Sequence, residues 1–336
     1  MIIQLEKEIS AKTKEEIVRK VSDLKYKITD VKTQKGDYLV GIGKQEFDIR
    51  DVGHMPGISD IHIVSDDYKL VSRKWKVNPT TIDLGDGVFI EEGGMAIMAG
   101  PCSIEGEEQI DKTINHLKEN DVKIMRGGVY KPRSSPYSFR GMGIKGLKLW
   151  YKAARSAGIK IITEVMQVSQ IEEMLPYVDI FQVGARNTQN FNLLDELGLV
   201  DKPVLIKRGI SGTINELLSS AEYVFSAGNE NLMLCERGIR TYEKASRNTM
   251  DINAITILKE KSHLPVIADP SHGIGIRDHV EPVALACIMA GADGVIYETH
   301  EKPEEAYSDG QQTLNFRESK KLIDRMRKVF DLRESM

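Results

Sequence analysis

Apolar residues along this chain follow two regimes. Over the first 75 residues they form short strand-like runs around one amphipathic helix. IIQLE reads as a strand, and Thr13–Leu24 sets Ile17, Val18, Val21 and Leu24 on one helical stripe. YKITDVKT and DYLVGIG make two strands around the turn QKGD. A weak helical stretch follows near Phe47–Val52, and ISDIHIVS is a last strand. The order β-α-β-β-α-β is that of the ferredoxin-like split unit. A segment this small, with few convergent polar residues, is expected to regulate or to assemble rather than to catalyse. TIDLGDGVFIEEGG, at 81–94, reads as a hairpin.

From Met95 the pattern changes and repeats. The apolar runs MAIMAG, VKIMRG, IKIITEV, DIFQVGA, PVLIKRG, NLMLCERG, LPVIADP and DGVIYET alternate with helix-like stretches. Those stretches fall near 107–119, 145–157, 169–175, 190–197, 213–226, 251–261, 279–290 and 314–330. Eight βα units over 95–336 match a closed (β/α)8 barrel, whose usual size is roughly 250 residues. An open doubly wound sheet is the alternative; the lack of an edge-like strand favours closure. The expected organisation is therefore α/β: a ferredoxin-like domain at 1–75, a linker and hairpin at 76–94, and a (β/α)8 (TIM) barrel at 95–336.

Composition narrows the class of partner. The formal net charge of −4 in 336 residues argues against nucleic acid, which asks for a broad basic face. No apolar run approaches the roughly 18 residues needed to cross a membrane, and MIIQLEKEIS lacks the features of a secretory signal. Cys102, Cys235 and Cys287 form no CxxC pair or disulfide framework, so a reducing, cytoplasmic setting is expected. Against this acidic background MRGGVYKPRSSPYSFRGMG, at 125–143, holds Arg126, Lys131, Arg133 and Arg140 with no acid. Such a local concentration of cations suits a small anion.

In barrels of this kind, function gathers at the C-terminal ends of the strands. Here those ends are polar almost without exception. The first is followed by Cys102 and the second by the basic stretch. The third ends at Glu164, the fourth at Arg186, the fifth at Lys207 and Arg208, and the sixth at Glu236 and Arg237. The seventh runs into Asp269 and His272, and the eighth ends at Glu298, with His300 and Asp309 in its loop. Cys102, His272, Glu298 and Asp309 together offer thiolate, imidazole and carboxylate, a donor set suited to Mn2+, Fe2+, Co2+ or Zn2+. His300 shares strand parity with Glu298 and competes for its place. Arg126, Lys131, Arg186, Lys207 and Arg237 form an arc of cations. Glu164 or Glu236 can neutralise some of them; the surplus calls for a substrate carrying phosphate and carboxylate.

These residues fall in motifs that resemble a known family. GPCS at 100–103, KPRSSPYSFRG at 131–141, GARN at 184–187, KRG at 207–209, CERGIRT at 235–241, DPSH at 269–272 and SDG at 308–310 are similar to 3-deoxy-D-arabino-heptulosonate 7-phosphate (DAHP) synthases. The segment at 1–75 resembles the ACT-type regulatory domain of one subgroup; nothing there reads as the chorismate mutase bundle that other members carry. The resemblance implies condensation of phosphoenolpyruvate with erythrose 4-phosphate in a homo-oligomer, a tetramer, inhibited by tyrosine or phenylalanine. It implies one divalent ion held by Cys102, His272, Glu298 and Asp309, which decides against His300. It further implies Arg186, Lys207 and Arg237 on the phosphoenolpyruvate phosphate, Arg126 and Lys131 on its carboxylate, and Arg133 with Ser134 on erythrose 4-phosphate. Lys131 is then the expected acid and Glu164 the residue that positions water. Many members read KPRT where this chain has KPRS, so a hydroxyl donor is retained at Ser134; Arg140 stays unassigned. Three alternatives remain at this point: a 3-deoxy-manno-octulosonate 8-phosphate synthase, which resembles KANRS at this turn; a Schiff-base aldolase using Lys131 or Lys207; and a non-catalytic sensor.

Overall fold

The computed structural model describes residues 1–131 and 137–336. Arg133 and Ser134 lie outside the described residues. The N-terminal unit contains β1 (Ile2–Leu5), α1 (Ala11–Asp23), β2 (Lys27–Lys32), β3 (Asp37–Ile42), α2 (Arg50–Gly53) and β4 (Ile58–His62). Its sheet has the order β2-β3-β1-β4 with antiparallel neighbours, the ferredoxin-like arrangement expected from the sequence. The second helix shrinks to one turn and starts later than the sequence pattern indicates. The Ser10 side chain caps α1 by accepting from the Thr13 amide.

Alternation along the strands gives this sheet two buried faces. Met1, Ile3, Leu5 and Leu39 pack with Ile17, Val21 and Val52, while Ile2, Val31, Tyr38 and Val40 join the core shared with the barrel. Tyr38 meets Trp75 and Phe225 edge-on, with centroids 5.4 and 6.1 Å apart. The segment after β4 is tied down as well. The Leu70 and Val71 amides donate to the half-buried Glu222 carboxylate at 2.9 and 3.0 Å, and the Ser262 hydroxyl donates to Val71 O at 2.7 Å.

Among the described residues, eight parallel strands close into a barrel: β7 (Ala96–Gly100), β8 (Ile124–Arg126), β9 (Lys160–Val165), β10 (Ile180–Val183), β11 (Val204–Lys207), β12 (Leu232–Glu236), β13 (Val266–Ala268) and β14 (Gly294–Glu298). Between β5 (Ile82–Asp83) and β6 (Phe89–Ile90) runs the expected hairpin. Helices follow the strands: α3 (Glu107–Glu119), α4 (Gly143–Ser156), the single turn α5 (Ile171–Met174), α6 (Phe191–Gly198), α7 (Ile214–Ala227), α8 (Ile252–Lys261), α9 (Pro270–Ile274) with α10 (Arg277–Met289), and α11 (Phe316–Glu334). Capping boxes start two of them, Thr213 with Glu216 at α7 and Asn315 with Glu318 at α11.

The barrel interior is built one residue per strand. Met98, Ile124, Ile162, Ile180, Leu205, Met233, Ile267 and Ile296 form one apolar layer, closed from below by Ile82 and Ile90 of the hairpin. Lys160, two residues before Ile162 and nearly fully buried, pairs with Asp86 of the hairpin turn at 2.6 Å. The hairpin is thus the floor of the barrel. Truncating Ile82 to alanine is expected to cost about 2–5 kcal/mol, the range for a large-to-small change in a packed core. A chemical denaturation midpoint measures it, and a loss below about 1 kcal/mol would contradict the packed floor.

Candidate active site

Side chains two residues apart on a strand share a face. Moving two residues up from the apolar layer therefore gives the next inward layer: Gly100, Arg126, Glu164, Gln182, Lys207, Cys235, Asp269 and Glu298. The step from oil to charge occurs within one residue pair on five of the eight strands. Burial at this depth makes each charge depend on a partner.

The partners are specific. Arg126 Nη1 donates to Glu298 Oε1 at 3.0 Å and to Pro101 O at 2.8 Å. Lys207 Nζ lies 2.5 Å from Asp269 Oδ2, and Asp269 also takes His272 Nδ1 at 2.8 Å. Burial alone would raise the Asp269 carboxyl, but His272 and Lys207 hold it well below the usual range. With Nδ1–H committed to Asp269, His272 turns Nε2 toward Glu298 Oε1, 3.5 Å away. Burial likewise opposes ionisation of Glu298, and His272 with Arg126 overcomes it.

Cys102, Glu298 and Asp309 bring one donor atom each to within 4.8 Å of one another. His272 stands beside this trio, facing Glu298. His300 does not compete: it faces Glu105 at 3.5 Å, and the Lys302 amide donates to its Nδ1. The Cys102 thiol donates to Asp309 Oδ2 at 3.0 Å, and Lys131 Nζ approaches Cys102 Sγ and Cys102 O at 2.9 Å each. Burial and then the Glu298 charge push the thiol pKa up to about 12, against the pull of Lys131. A divalent ion fits this group of sulfur, nitrogen and carboxylate oxygens, and would have to displace the thiol proton on binding.

Above the donor set lies a cavity lined by Arg126, Lys131, Glu164, Arg186, Lys207 and Arg237, all anticipated from sequence. Three of these cations, Lys131, Arg186 and Arg237, have no carboxylate partner among the described residues, and Lys131 is instead engaged by Cys102. Arg186 is exposed at the mouth, three residues past the end of β10. Arg237 is 5% exposed, and its Nη1 donates to Gly238 O at 3.3 Å. Burial lowers the Arg237 pKa, an effect that Asp269 only partly offsets. Glu164, in the strand between the two groups of cations, interrupts their arc; Gln182 Nε2 approaches it at 3.5 Å. Gly184 permits this crowding, since a Cβ there would sit 2.1 Å from Glu164 Oε1.

Glu236 turns out to serve elsewhere. It lies one position off the inward face and pairs with Arg208 at 2.9 Å, and Arg208 also binds Asp251 at 2.8 Å. The sequence reading missed Gln182, Arg240, Arg247 and Asn248, which complete the cavity wall. Parity with Ile180 identifies Gln182; the other three sit in the loop between β12 and α8. Within the basic stretch, the Lys131 amide donates to Arg140 O at 3.0 Å. Gly141 takes φ 95°, and a Cβ there would lie 2.0 Å from Val129 O.

A closed (β/α)8 barrel with a cationic cavity over a Cys, Glu, Asp and His donor group is the layout of an enzyme that handles anionic substrates. A profile of the DAHP synthetase I family matches residues 77–334, and the chain belongs to that family. It is 51% identical over 264 residues to a phospho-2-dehydro-3-deoxyheptonate aldolase of Thermotoga maritima, covering 79% of this chain and 78% of that one. A 2-dehydro-3-deoxyphosphooctonate aldolase of Legionella pneumophila (strain Corby) is 29% identical, over 69% of this chain and 90% of its own. The crystal structure of a Thermotoga maritima DAHP synthase superposes with a TM-score of 0.79 at 43% identity, covering 98% of this chain and 97% of that one. A truncated form of the enzyme from that organism covers 79% of this chain and 97% of its own, with a TM-score of 0.74 at 47% identity. Among the described residues, no helix is long and apolar enough to cross a membrane.

Proposed function

We propose that this chain condenses phosphoenolpyruvate with erythrose 4-phosphate, releasing phosphate, as the first step of the shikimate pathway. The observation that carries the reading is the pair Arg186 and Arg237, cations without carboxylate partners, set above the Cys102, Glu298, Asp309 and His272 group. Arg186, Arg237 and Lys207 grip the phosphoenolpyruvate phosphate, with guanidinium forks suited to its oxygens. Arg126 and Lys131 face its carboxylate. Arg133 and Ser134 are assigned to the second phosphate. A divalent ion of the Mn2+, Fe2+, Co2+ or Zn2+ kind, held by Cys102, His272, Glu298 and Asp309, would supply Lewis acidity toward the aldehyde oxygen.

The residues then do the positioning. The cations fix C3 of phosphoenolpyruvate against the aldehyde carbon, so that a carbon–carbon bond forms between groups already oriented. Lys131 delivers a proton to the aldehyde oxygen as charge develops there. Glu164 holds the water that adds at C2, and the resulting hemiketal sheds phosphate. Both lysines are engaged, Lys131 with Cys102 and Lys207 with Asp269, which favours this route over a Schiff base. The N-terminal unit, docked on the barrel by Tyr38 and Trp75, is assigned a regulatory role with tyrosine or phenylalanine as inhibitor, in a homotetramer of the cytoplasm.

Phosphate release with each aldose phosphate tests the reading. Turnover is expected with erythrose 4-phosphate, to be lost with EDTA and restored by Mn2+, and to fall when tyrosine or phenylalanine is added. Preference for arabinose 5-phosphate would assign the chain to the octulosonate branch instead. Activity that survives EDTA, with substrate trapped by borohydride, would establish the Schiff-base route.

A further inference from the structure

Gln312 lies in the loop between β14 and α11 and is fully buried. Its Nε2 donates to Glu298 Oε2 at 2.6 Å, and its Oε1 accepts from Arg247 Nη1 at 2.7 Å. The neighbours dictate which way this amide points. A carboxylate only accepts and a guanidinium only donates, so a single orientation satisfies both. Arg247 also reaches Asp309 Oδ1 at 3.4 Å and lines the cationic cavity. Asp309 and Gln312 share one turn, closed by the Gln312 amide donating to Asp309 O at 3.2 Å. Asp309 itself takes φ 51°, a left-handed conformation that an aspartate tolerates at modest cost.

The two oxygens of Glu298 are thereby made unequal. Oε2 is held by the Gln312 amide; Oε1 faces Arg126 at 3.0 Å and His272 Nε2 at 3.5 Å. We infer that Gln312 is a positioning residue for the divalent-ion site: it occupies Oε2 so that Glu298 presents Oε1 to the donor group. Through Arg247 it also ties that group to the wall of the substrate cavity. The inference rests on the reading of Cys102, His272, Glu298 and Asp309 as ligands. Its chemistry is that of an outer hydrogen bond that fixes a ligand's orientation, whose loss typically weakens metal affinity about 10–100-fold.

Co2+ titration of the metal-free full chain tests this, read by the thiolate-to-Co(II) absorption band and by competition with a chelator. Gln312→Met keeps the length of the side chain and removes the amide. It is expected to bind Co2+ about 10–100-fold more weakly, with an altered band in protein that remains folded. Gln312→Glu keeps an acceptor for Arg247 but sets a second carboxylate against Glu298, and is expected to bind more weakly still. Arg247→Met removes the far partner of the amide, is expected to weaken binding several-fold, and decides the matter if the Gln312 variants do not fold. Affinities within twofold of the parent and an unchanged band in the folded variants would overturn the inference. A parent chain with no thiolate band would overturn the metal reading beneath it, a result distinct from a parent that binds normally and variants that match it.

Discussion

Replacing Cys102 with alanine is expected to lower kcat by about 10^3-fold or more, while the fold is kept. The magnitude follows from what the ligand group supports. Lewis-acid stabilisation of developing charge is worth several kcal/mol, and each 1.4 kcal/mol is a factor of ten in rate. Cys102 supplies the sulfur of the donor group, with Asp309 at 3.0 Å and Lys131 at 2.9 Å. Cys235 and Cys287 are buried elsewhere in the barrel and its helix layer. Removing the thiol takes one contact each from Asp309 and Lys131, but Asp309 keeps Arg247 and Lys131 keeps Cys102 O, so the metal-free variant should melt close to the parent. Steady-state phosphate release and bound metal per chain check the expectation together. An alanine variant within tenfold of the parent's kcat, carrying a full complement of metal, would remove Cys102 from the ligand set.

Arg237→Met is expected to make the ligand-free protein more stable and the enzyme far worse. The guanidinium is buried without a carboxylate partner of its own, and burial already lowers its pKa. A buried charge without a dedicated counter-ion is a cost that the folded protein carries until substrate arrives. Methionine fills a similar volume without the charge, so a gain of about 1–2 kcal/mol is expected, within the range by which apolar replacements of buried ions stabilise proteins. Losing a charge-assisted contact to phosphate should lower kcat/KM for phosphoenolpyruvate by roughly 10^2-fold or more. Thermal melts with and without inorganic phosphate separate the two effects. The parent should gain more from phosphate than the variant does, because only binding to the native state stabilises it. A variant that melts below the parent in both conditions would show Arg237 to be structural.

Both expectations arise from residues visible in the sequence, and the reason is geometric. Strands of a closed parallel barrel are apolar on both faces, so runs such as IKIITEV stand out and locate the strands. The charged residues that end them are equally conspicuous, which is how Arg126, Glu164, Lys207 and Glu298 could be picked out. What a two-sided apolar strand conceals is which parity faces inward. For that reason the sequence does not single out Gln182, and Glu236 reads as a neutraliser of the cation arc although it pairs with Arg208 on the other face. The loop from 237 to 251 has no periodicity to read. Arg247 reaches the site only because that loop folds back across the mouth, with Ile239 and Thr249 bridged. Gln312 carries no charge and sits three residues past Asp309; nothing short of its two partners marks it. At the N-terminus the strands and α1 follow their patterns, whereas α2 lacks a sustained apolar stripe and forms a single turn.

The layered interior also says how such a protein can change over generations. Inward positions recur every second residue, so deleting one residue inside β9 or β11 would rotate the rest of that strand by one face. In β9, Val165 would then take the mouth position of Glu164, and the glutamate charge would be driven among the helices. Changes in the loops beyond the strand ends carry no such penalty. Lineages drawn from this barrel should therefore keep strand length and parity fixed while their rim loops lengthen, shorten and exchange substrates.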